Sequence, residues 1–367
     1  MYGSTFGNIF RITTWGESHG RGIGVVVDGC PAGLSLCEED IQAFLDRRKP
    51  GQSRFTTKRK EADQVEILSG VFEGKTTGHP ISLMVANTDQ RSHDYSEIAN
   101  CYRPGHADLN YDRKYGFRDY RGGGRSSGRE TIGRVAAGAI AAKLLKELGI
   151  TVSAYTYSIG PVQINRANFS KEEISNNALY MPDTQAAQAA QEYLDKCMRE
   201  TNSSGGMVEC EITGVPAGIG EPAFEKLDAA LAKAMFSIGA VKGFEIGEGM
   251  EAARLTGLEN NDAYRMDTEG QIMKKTNHSG GITGGISAGA PILFRAAFKP
   301  TPSIAAPQET VNRQGEEIEI RIKGRHDPII VPRAVVVVES MAALVILDAM
   351  LGSMTTRLDK IKEFFDK

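Results

Sequence analysis

The chain has 367 residues, a formal net charge of −3, 41% hydrophobic residues and 24% charged residues. These values are typical of a globular enzyme with a large core and of neither a disordered nor a strongly basic protein. No apolar run approaches the ~20 residues of a membrane span, and residues 1–11 lack the pattern of a secretion signal, so we expect a cytoplasmic protein.

The first half of the chain predicts strands, a turn and a helix in close succession. An apolar strand pattern at residues 24–27 leads into the turn sequence D-G-C-P-A-G-L at residues 28–34. A helix is expected at about residues 38–48, because acidic residues begin it and two arginines end it before a proline. Further strands are expected at residues 65–68 and 81–85.

A glycine- and arginine-rich segment, R-G-G-G-R-S-S-G-R at residues 121–129, precedes an alanine-rich helical pattern at residues 130–148. Glycine lets backbone amides approach a ligand closely, and the start of a helix favours an anion, so the segment predicts an anion-binding cradle. Ser127 and Glu130 have the spacing of a capping box. The alternative is a disordered segment that binds nucleic acid, but such segments are longer and belong to basic chains.

The second half of the chain repeats features of the first. T-G-V-P-A-G-I at residues 213–219 echoes D-G-C-P-A-G-L half a chain earlier, and G-A-P-I at residues 289–292 echoes G-H-P-I at residues 78–81. Two tandem copies of one β/α unit account for these echoes. We therefore predict a single domain over residues 1–367, with repeat halves at about 1–160 and 207–367 and a polar insertion at about 165–206 that carries one surface helix.

The remaining elements predict the fold class. A second-copy helix is expected at residues 222–236 with Phe224 on its buried face, an apolar helix at about residues 339–351, and strands at residues 208–212, 292–296 and 317–322. Short glycine turns between strands favour antiparallel pairing. The prediction is an α+β fold: a pseudo-symmetric sandwich in which long helices lie between two antiparallel β-sheets, produced by an internal duplication.

Three residues are candidates for proton transfer. His19 lies in G-E-S-H-G, His106 in R-P-G-H-A-D and Asp327 in G-R-H-D-P, all in turn-like sequences. Imidazole and carboxylate groups suit acid and base roles, although a structural histidine or a turn aspartate is the alternative for each. Five cysteines without a C-x-x-C pair argue against a disulfide framework and a structural zinc site, and no metal ligand set is expected.

Further cationic and glycine-rich segments indicate a ligand with several negative charges. The second half contains S-I-G-A-V-K-G at residues 237–243, S-G-G-I-T-G-G-I at 279–286 and K-P-T-P-S at 299–303, which together suggest a second cradle. The phosphate loop of ATPases and the dinucleotide fingerprint are not found in the sequence. Guanidinium groups match phosphate and carboxylate, and arginines follow or precede many of these turns.

Six motifs in order resemble the chorismate synthase family: G-E-S-H-G, D-R-R-K-P-G, R-P-G-H-A-D, R-G-G-G-R-S-S-G-R-E-T, K-P-T-P-S and G-R-H-D-P. The resemblance implies a lyase of the shikimate pathway that converts 5-enolpyruvylshikimate 3-phosphate to chorismate and phosphate with reduced FMN and no net redox change. It also implies a homotetramer. Because no nicotinamide fingerprint is visible, we expect an external flavin reductase. The net charge of −3 and the lack of a long apolar run lead us to expect no nucleic acid partner and no membrane partner. The alternative is a binding module for phosphorylated metabolites or RNA.

The resemblance also assigns roles to residues of this sequence. His19 would protonate the leaving phosphate, His106 would lie near the flavin and Asp327 would assist proton removal. Departures from the family pattern occur at Gly239, Pro302 and Gly128. The implied flavin contacts are Arg125, Ser126, Ser127, Gly239, Ala240, Gly284, Lys299, Pro300, Thr301, Pro302, Ser303 and Arg325, and the implied substrate or NADP contacts are Arg48, Arg54, Arg103, Arg129 and Arg134.

Overall fold

A computed structural model of the chain describes residues 3–56, 61–88, 99–121, 123–322 and 327–366. The strands that precede residue 100 are β1 (Thr5–Phe6), β2 (Arg11–Gly16), β3 (Gly22–Asp28), β4 (Val65–Ile67), β5 (Val71–Phe72), β6 (Lys75–Thr76) and β7 (Ile81–Ala86). The later strands are β8 (Thr151–Ile159), β9 (Val162–Gln163), β10 (Gly206–Thr213), β11 (Val241–Ile246), β12 (Tyr264–Met266), β13 (Ile272–Lys274), β14 (Ile282–Thr283), β15 (Ile286–Ser287), β16 (Ile292–Phe298), β17 (Gln308–Val311) and β18 (Glu317–Ile320).

The α-helices include two long ones and several short ones. They are α1 (Glu38–Arg48), α2 (Asp108–Tyr115), α3 (Thr131–Glu147), α4 (Glu173–Asn176), α5 (Thr184–Arg199), α6 (Leu227–Phe236), α7 (Gly257–Asn260), α8 (Val331–Ser353) and α9 (Leu358–Phe365).

Two five-stranded antiparallel sheets enclose a layer of helices. Their strand orders are β1-β2-β3-β7-β4 and β11-β16-β10-β8-β9. Helix α3 packs on the first sheet, α8 packs on the second, and these two helices pack on each other, with α1 and α6 beside them. The predicted α+β class, with helices between two antiparallel sheets, is confirmed.

The two halves of the chain follow the same order of elements. The first half runs β2, β3, α1, β4, β7 and α3, and the second runs β8, β10, α6, β11, β16 and α8. The corresponding strands also occupy corresponding places in the two sheets. This correspondence places the two repeated P-A-G turns directly after β3 and β10.

Helix α8 forms the centre of the core. Its residues 331–347 are nearly all buried, so the helix is apolar on every side, as expected for a helix covered by a sheet and by other helices. Among the described residues it is the one helix long and apolar enough to cross a membrane, and most of it lies inside the core. Arg333, Glu339 and Asp348 interrupt its apolar run.

Several predicted boundaries differ from those observed. Helix α6 begins at Leu227 rather than at residue 222, because the Leu227 amide donates a hydrogen bond to the Gly285 carbonyl. Phe224 therefore precedes the helix and is 98% exposed instead of buried. Helix α8 begins at Val331, eight residues before the predicted start, with Pro332 in the first turn where proline is well tolerated. The strand expected at residues 317–322 ends at Ile320 and pairs with β17 outside the two large sheets.

Gly138 allows α3 and α8 to approach closely. A Cβ atom at this position would lie 2.3 Å from the Ser340 Cβ and 2.6 Å from its Cα. We expect Gly138→Ala to lower the free energy of unfolding by about 1–3 kcal/mol, since the two helices must move apart. The matched control is Gly352→Ala on α8, where the added methyl meets no atom within 4 Å and alanine is the better helix former. Urea unfolding of both variants tests this, and equal stabilities would contradict it.

Candidate functional site

A cavity of about 640 Å³ lies where the two halves of the chain meet. Both central helices begin at this cavity, since residues 128–134 around the start of α3 and residues 330–337 around the start of α8 line it. The residues that end α1 and follow α6 also line it, as do residues 103, 105–107, 298, 299 and 301–303. Two helix N-termini thus direct their positive dipole ends towards one space.

The predicted cradle forms one wall of the cavity. Gly123 and Gly124 have φ angles of +85° and +55°, which favour glycine, and they lead into short helical turns that end at α3. The Ser127 hydroxyl accepts a hydrogen bond from the Arg129 amide at 3.3 Å. The predicted capping box is wrong, because the Glu130 carboxylate accepts hydrogen bonds from Thr14 and Arg134 instead.

Arg48 and Arg129 are held at the cavity by a buried carboxylate. Asp63 accepts hydrogen bonds from Arg48 Nη2 at 2.9 Å and from Arg129 Nη1 at 3.1 Å, and Arg129 also pairs with Glu61. Burial lowers the pKa of Arg48 to about 10, which leaves it charged near neutral pH. Its Nε is buried and has no hydrogen-bond partner among the described residues. Asp63 adopts a φ of +47°, a conformation that costs free energy outside glycine.

His106 is held by hydrogen bonds at both ring nitrogens. Its Nδ1 lies 3.0 Å from the Pro104 carbonyl oxygen and its Nε2 lies 2.9 Å from Ser303 Oγ. Burial, reinforced by the charge of Arg103, lowers the pKa of His106 to about 4, so the ring is neutral at pH 7. Because a carbonyl can only accept, Nδ1 carries the proton and Nε2 accepts from the Ser303 hydroxyl.

The lowered pKa of His106 makes the free energy of unfolding depend on pH between about 4 and 6.5. Between pH 6.5 and pH 4 the unfolded chain protonates His106 while the folded chain does not, so stability is lost as the pH falls through this range. Relative to His106→Gln, the wild type should lose roughly 3 kcal/mol, at about 1.4 kcal/mol per pKa unit. Denaturant unfolding of both proteins at pH 7, 5.5 and 4 measures the difference. A constant difference across these pH values would contradict the neutral buried ring.

Asp327 also lines the cavity and contacts an arginine of α8. Arg333 Nη1 donates to Asp327 Oδ2 at 2.6 Å, and Arg333 Nε donates to the Arg48 carbonyl at 2.9 Å. The sequence analysis missed Arg333, Asp63 and Glu61. Only Arg333 had a sequence signal: the V-P-R sequence marks a helix start, which would have placed Arg333 in a first turn six residues after Asp327.

The other basic residues of the cavity also have protein partners. Arg125 donates to Thr14 Oγ1 at 2.7 Å and Arg134 to Ser237 Oγ at 2.5 Å. Arg103 makes two side-chain hydrogen bonds to Asp108. These bonds join the two ends of the loop that carries His106. Lys299 Nζ donates to the Gly105 carbonyl at 2.7 Å. Among the described residues the cavity is lined by seven basic and three acidic side chains, so its field favours anions.

The structure brings most, but not all, of the predicted site residues together. Gly239, Ala240, Thr301, Pro302 and Ser303 line the cavity, as do the basic residues above and Ser126 and Ser127. The residues that do not line it are Pro300, which lines a neighbouring cavity of about 360 Å³, His19, Arg54 and Gly284.

Apart from Pro300, the three predicted residues that do not line the cavity have other surroundings. His19 Nδ1 lies 3.1 Å from Ser18 Oγ on the loop after β2. Arg54 pairs with Asp195 at 2.8 Å, and Gly284 lies in the turn between β14 and β15. Arg325 lies outside the described residues.

The cavity has the features of a site for an anionic ligand. Two buried polar atoms at its wall, Arg48 Nε and Thr301 Oγ1, have no hydrogen-bond partner among the described residues. A Cβ atom added at Gly124, Gly128 or Gly239 would meet nothing within 4 Å, so these turns face open space. The volume lies in the usual range for ligand sites. No metal-binding group of His, Cys, Asp or Glu occurs among the described residues.

Comparison with known proteins gives one family. A family model described as chorismate synthase matches residues 10–351. The chain is 69% identical to the chorismate synthase of Agathobacter rectalis and 67% identical to that of Lachnoclostridium phytofermentans, over all of both chains in each case. It is 56% identical to the enzyme of Paracoccus denitrificans over 95% of both chains. A crystal structure of chorismate synthase superimposes with a TM-score of 0.76 and 31% identity, covering 98% of this chain and 97% of the other.

Proposed function

The chain belongs to the chorismate synthase family of lyases, and from this we propose that it converts 5-enolpyruvylshikimate 3-phosphate to chorismate and phosphate with reduced FMN and no net redox change. The observation that carries the proposal is the cavity itself, where a neutral imidazole and a carboxylate face a basic wall. A protein that only binds phosphorylated metabolites or RNA needs the arginines but has no use for an acid and a base.

The charge of the cavity supports this substrate, which carries one phosphate and two carboxylates. Arg48, Arg129 and Arg134 present guanidinium groups at the wall near the start of α3, where the helix dipole adds to their charge. Arg48 offers a buried Nε that a ligand oxygen can satisfy. Arg103 is already bound by Asp108, so we propose that it shapes the His106 loop and adds positive charge to the cavity.

The glycine-rich segments are proposed to hold the flavin. Arg125, Ser126 and Ser127 would lie on one side and Gly239, Ala240 and residues 299–303 on the other. The chemistry that reduced FMN supplies when bound is transient electron density for cleavage of the carbon–oxygen bond. The residues bind and orient the two ligands and exclude water, which strengthens every charge interaction inside the cavity.

Two groups that line the cavity, His106 and Asp327, are proposed to take part in proton transfer. His106 holds its proton at Nδ1 and presents the lone pair of Nε2 to Ser303, so it can accept a proton at Nε2. Asp327 is proposed to take up, at its carboxylate, the ring proton lost in the elimination. His19 is proposed to give a proton to the departing phosphate, which requires the loop after β2 to move towards the cavity. Proton transfer of this kind contributes about 10²–10⁴-fold to a rate.

The decisive experiment is anaerobic. The purified protein is mixed with the enolpyruvyl substrate and photoreduced FMN, and released phosphate and chorismate are measured together. Stoichiometric formation of both is expected with reduced FMN, and neither is expected with oxidised FMN. No phosphate release, or equal release with oxidised FMN, would refute the proposed function, and RNA binding at physiological salt would favour a binding module.

Three further properties are proposed from the family resemblance. We propose that the chain acts as a homotetramer, that it works in the cytoplasm in aromatic amino acid biosynthesis, and that an external reductase supplies reduced FMN. Light scattering of the purified protein measures its oligomeric state. For the third, the purified protein with oxidised FMN and NADPH should form no chorismate until a flavin reductase is added.

A further inference from the structure

One guanidinium group joins the two halves of the cavity. Arg333 lies in the first turn of α8, and its Nη1 donates to Asp327 Oδ2 at 2.6 Å. Its Nε donates at 2.9 Å to the carbonyl of Arg48, the last residue of α1. The Arg333 and Asp327 side chains are only 20% and 11% exposed, so water screens this ion pair weakly.

We propose that Arg333 is a positioning residue that sets the direction of the Asp327 carboxylate and fixes its distance from the Arg48 wall. The proposal rests on the function proposed above and deepens it. Asp327 lies outside helix and strand, four residues before α8 begins. The planar guanidinium fixes one carboxylate oxygen and one backbone oxygen in a single rigid geometry, which lysine cannot reproduce.

The hydrogen bond from Arg333 to the Arg48 carbonyl matters because Arg48 is itself fixed in the cavity wall. Arg48 itself donates to the Gly128 carbonyl and to Asp63, so its guanidinium is fixed relative to the cradle. Arg333 therefore links the anion-binding wall to the carboxylate wall through a chain of hydrogen bonds. In a reaction where phosphate leaves one carbon and a proton leaves another, the base must stay aligned while the phosphate is held. A displacement of about 1 Å at such a group can cost roughly a hundredfold in rate.

The variants are Arg333→Ala and Arg333→Lys, with Arg47→Ala as the matched control. Arg47 also joins α1 to α8, through two hydrogen bonds to Glu339 at 2.9 and 2.8 Å, but it does not line the cavity. Arg333→Ala should lower kcat about a hundredfold while KM and the FMN dissociation constant stay near wild type. Added guanidinium chloride at millimolar concentration should restore part of the activity, and Arg333→Lys should be intermediate. Arg47→Ala should lose stability and keep its kcat.

Two readouts separate positioning from a general structural role. With substrate deuterated at the carbon that loses the proton, Arg333→Ala should show a larger isotope effect on kcat than the wild type. In the protein without flavin, amide hydrogen exchange at residues 329–331 should rise in Arg333→Ala and not in Arg47→Ala. Adding Arg333→Ala to Asp327→Asn should cost little more, since residues that act as a unit are not additive.

The outcomes distinguish this inference from the proposed function. If the wild type releases no phosphate with reduced FMN, the proposed function fails. If the wild type is active and Arg333→Ala keeps its kcat, its isotope effect and its hydrogen exchange, the positioning role is refuted and the function stands. A rise in KM with unchanged kcat would also refute it, because Arg333 would then be a substrate contact.

Discussion

Asp327→Asn is expected to lower kcat at least about a hundredfold, because an amide cannot take up a proton and a general base contributes about 10²–10⁴-fold. The substitution keeps the size of the side chain, and its amide oxygen can still accept the hydrogen bond from Arg333. We therefore expect FMN binding and the fold to be retained. Anaerobic phosphate release gives kcat, and quenching of flavin fluorescence gives the FMN dissociation constant.

The matched control for this variant is Asp348→Asn in the C-terminal part of α8. Asp348 accepts hydrogen bonds from the amides of Asn8, Ile9 and Phe10 and does not line the cavity. It should lose stability without loss of turnover. Wild-type turnover in Asp327→Asn would remove Asp327 from the mechanism, while loss of FMN binding together with turnover would assign it to the flavin site.

Arg48→Ala is expected to impair both folding and substrate binding. It leaves the fully buried Asp63 with only part of its compensating charge, and breaking a buried ion pair costs about 3–5 kcal/mol. The lost phosphate contact should also weaken substrate binding by about a hundredfold, the equivalent of about 3 kcal/mol. Urea unfolding measures the first effect. Titration calorimetry with the substrate, without reduced flavin, measures the second.

A double variant separates these two effects. In Arg48→Met/Asp63→Asn the methionine fills much of the space and the carboxylate charge is gone, so most of the lost stability should return. Substrate affinity should stay low, because no guanidinium faces the cavity at that position. If affinity recovers together with stability, Arg48 supports the fold and does not bind the substrate phosphate.

The fold could be predicted where the local pattern was strong. Helix α1 has the predicted bounds, because acidic residues, helical spacing and the proline after it agree. The strands β2, β8 and β11 were missed. Arginine, tryptophan and glycine interrupt the pattern of β2, and lysine, glycine and glutamate interrupt that of β11. Hydroxyl-bearing residues interrupt the apolar pattern of β8. Pairing within the large sheets stabilises all three strands instead.

Candidate site residues could be predicted where they lie in short turn motifs. The cradle, the His106 loop and Asp327 each lie in a short motif, and the fold brings all three to one cavity. Asp63 and Glu61 lie in a stretch without such a motif, and their role depends on an approach to Arg129 across more than sixty residues. The Arg333 contact spans six residues but depends on where α8 begins, which the apolar pattern did not determine.

The position of the cavity, where both central helices begin, gives a pseudo-symmetric framework an asymmetric pocket. Corresponding elements of the two halves, the ends of α1 and α6 and the starts of α3 and α8, surround the same space. An ancestor made of two identical copies would have had this pocket on its symmetry axis, with the same groups on both sides. Because both halves belong to one chain, their sequences differ, and the first half contributes Arg48 and Arg129 to the cavity while the second contributes Asp327. A covalently joined pair can therefore place opposite charges on the two sides of one pocket, which two identical copies around an axis cannot.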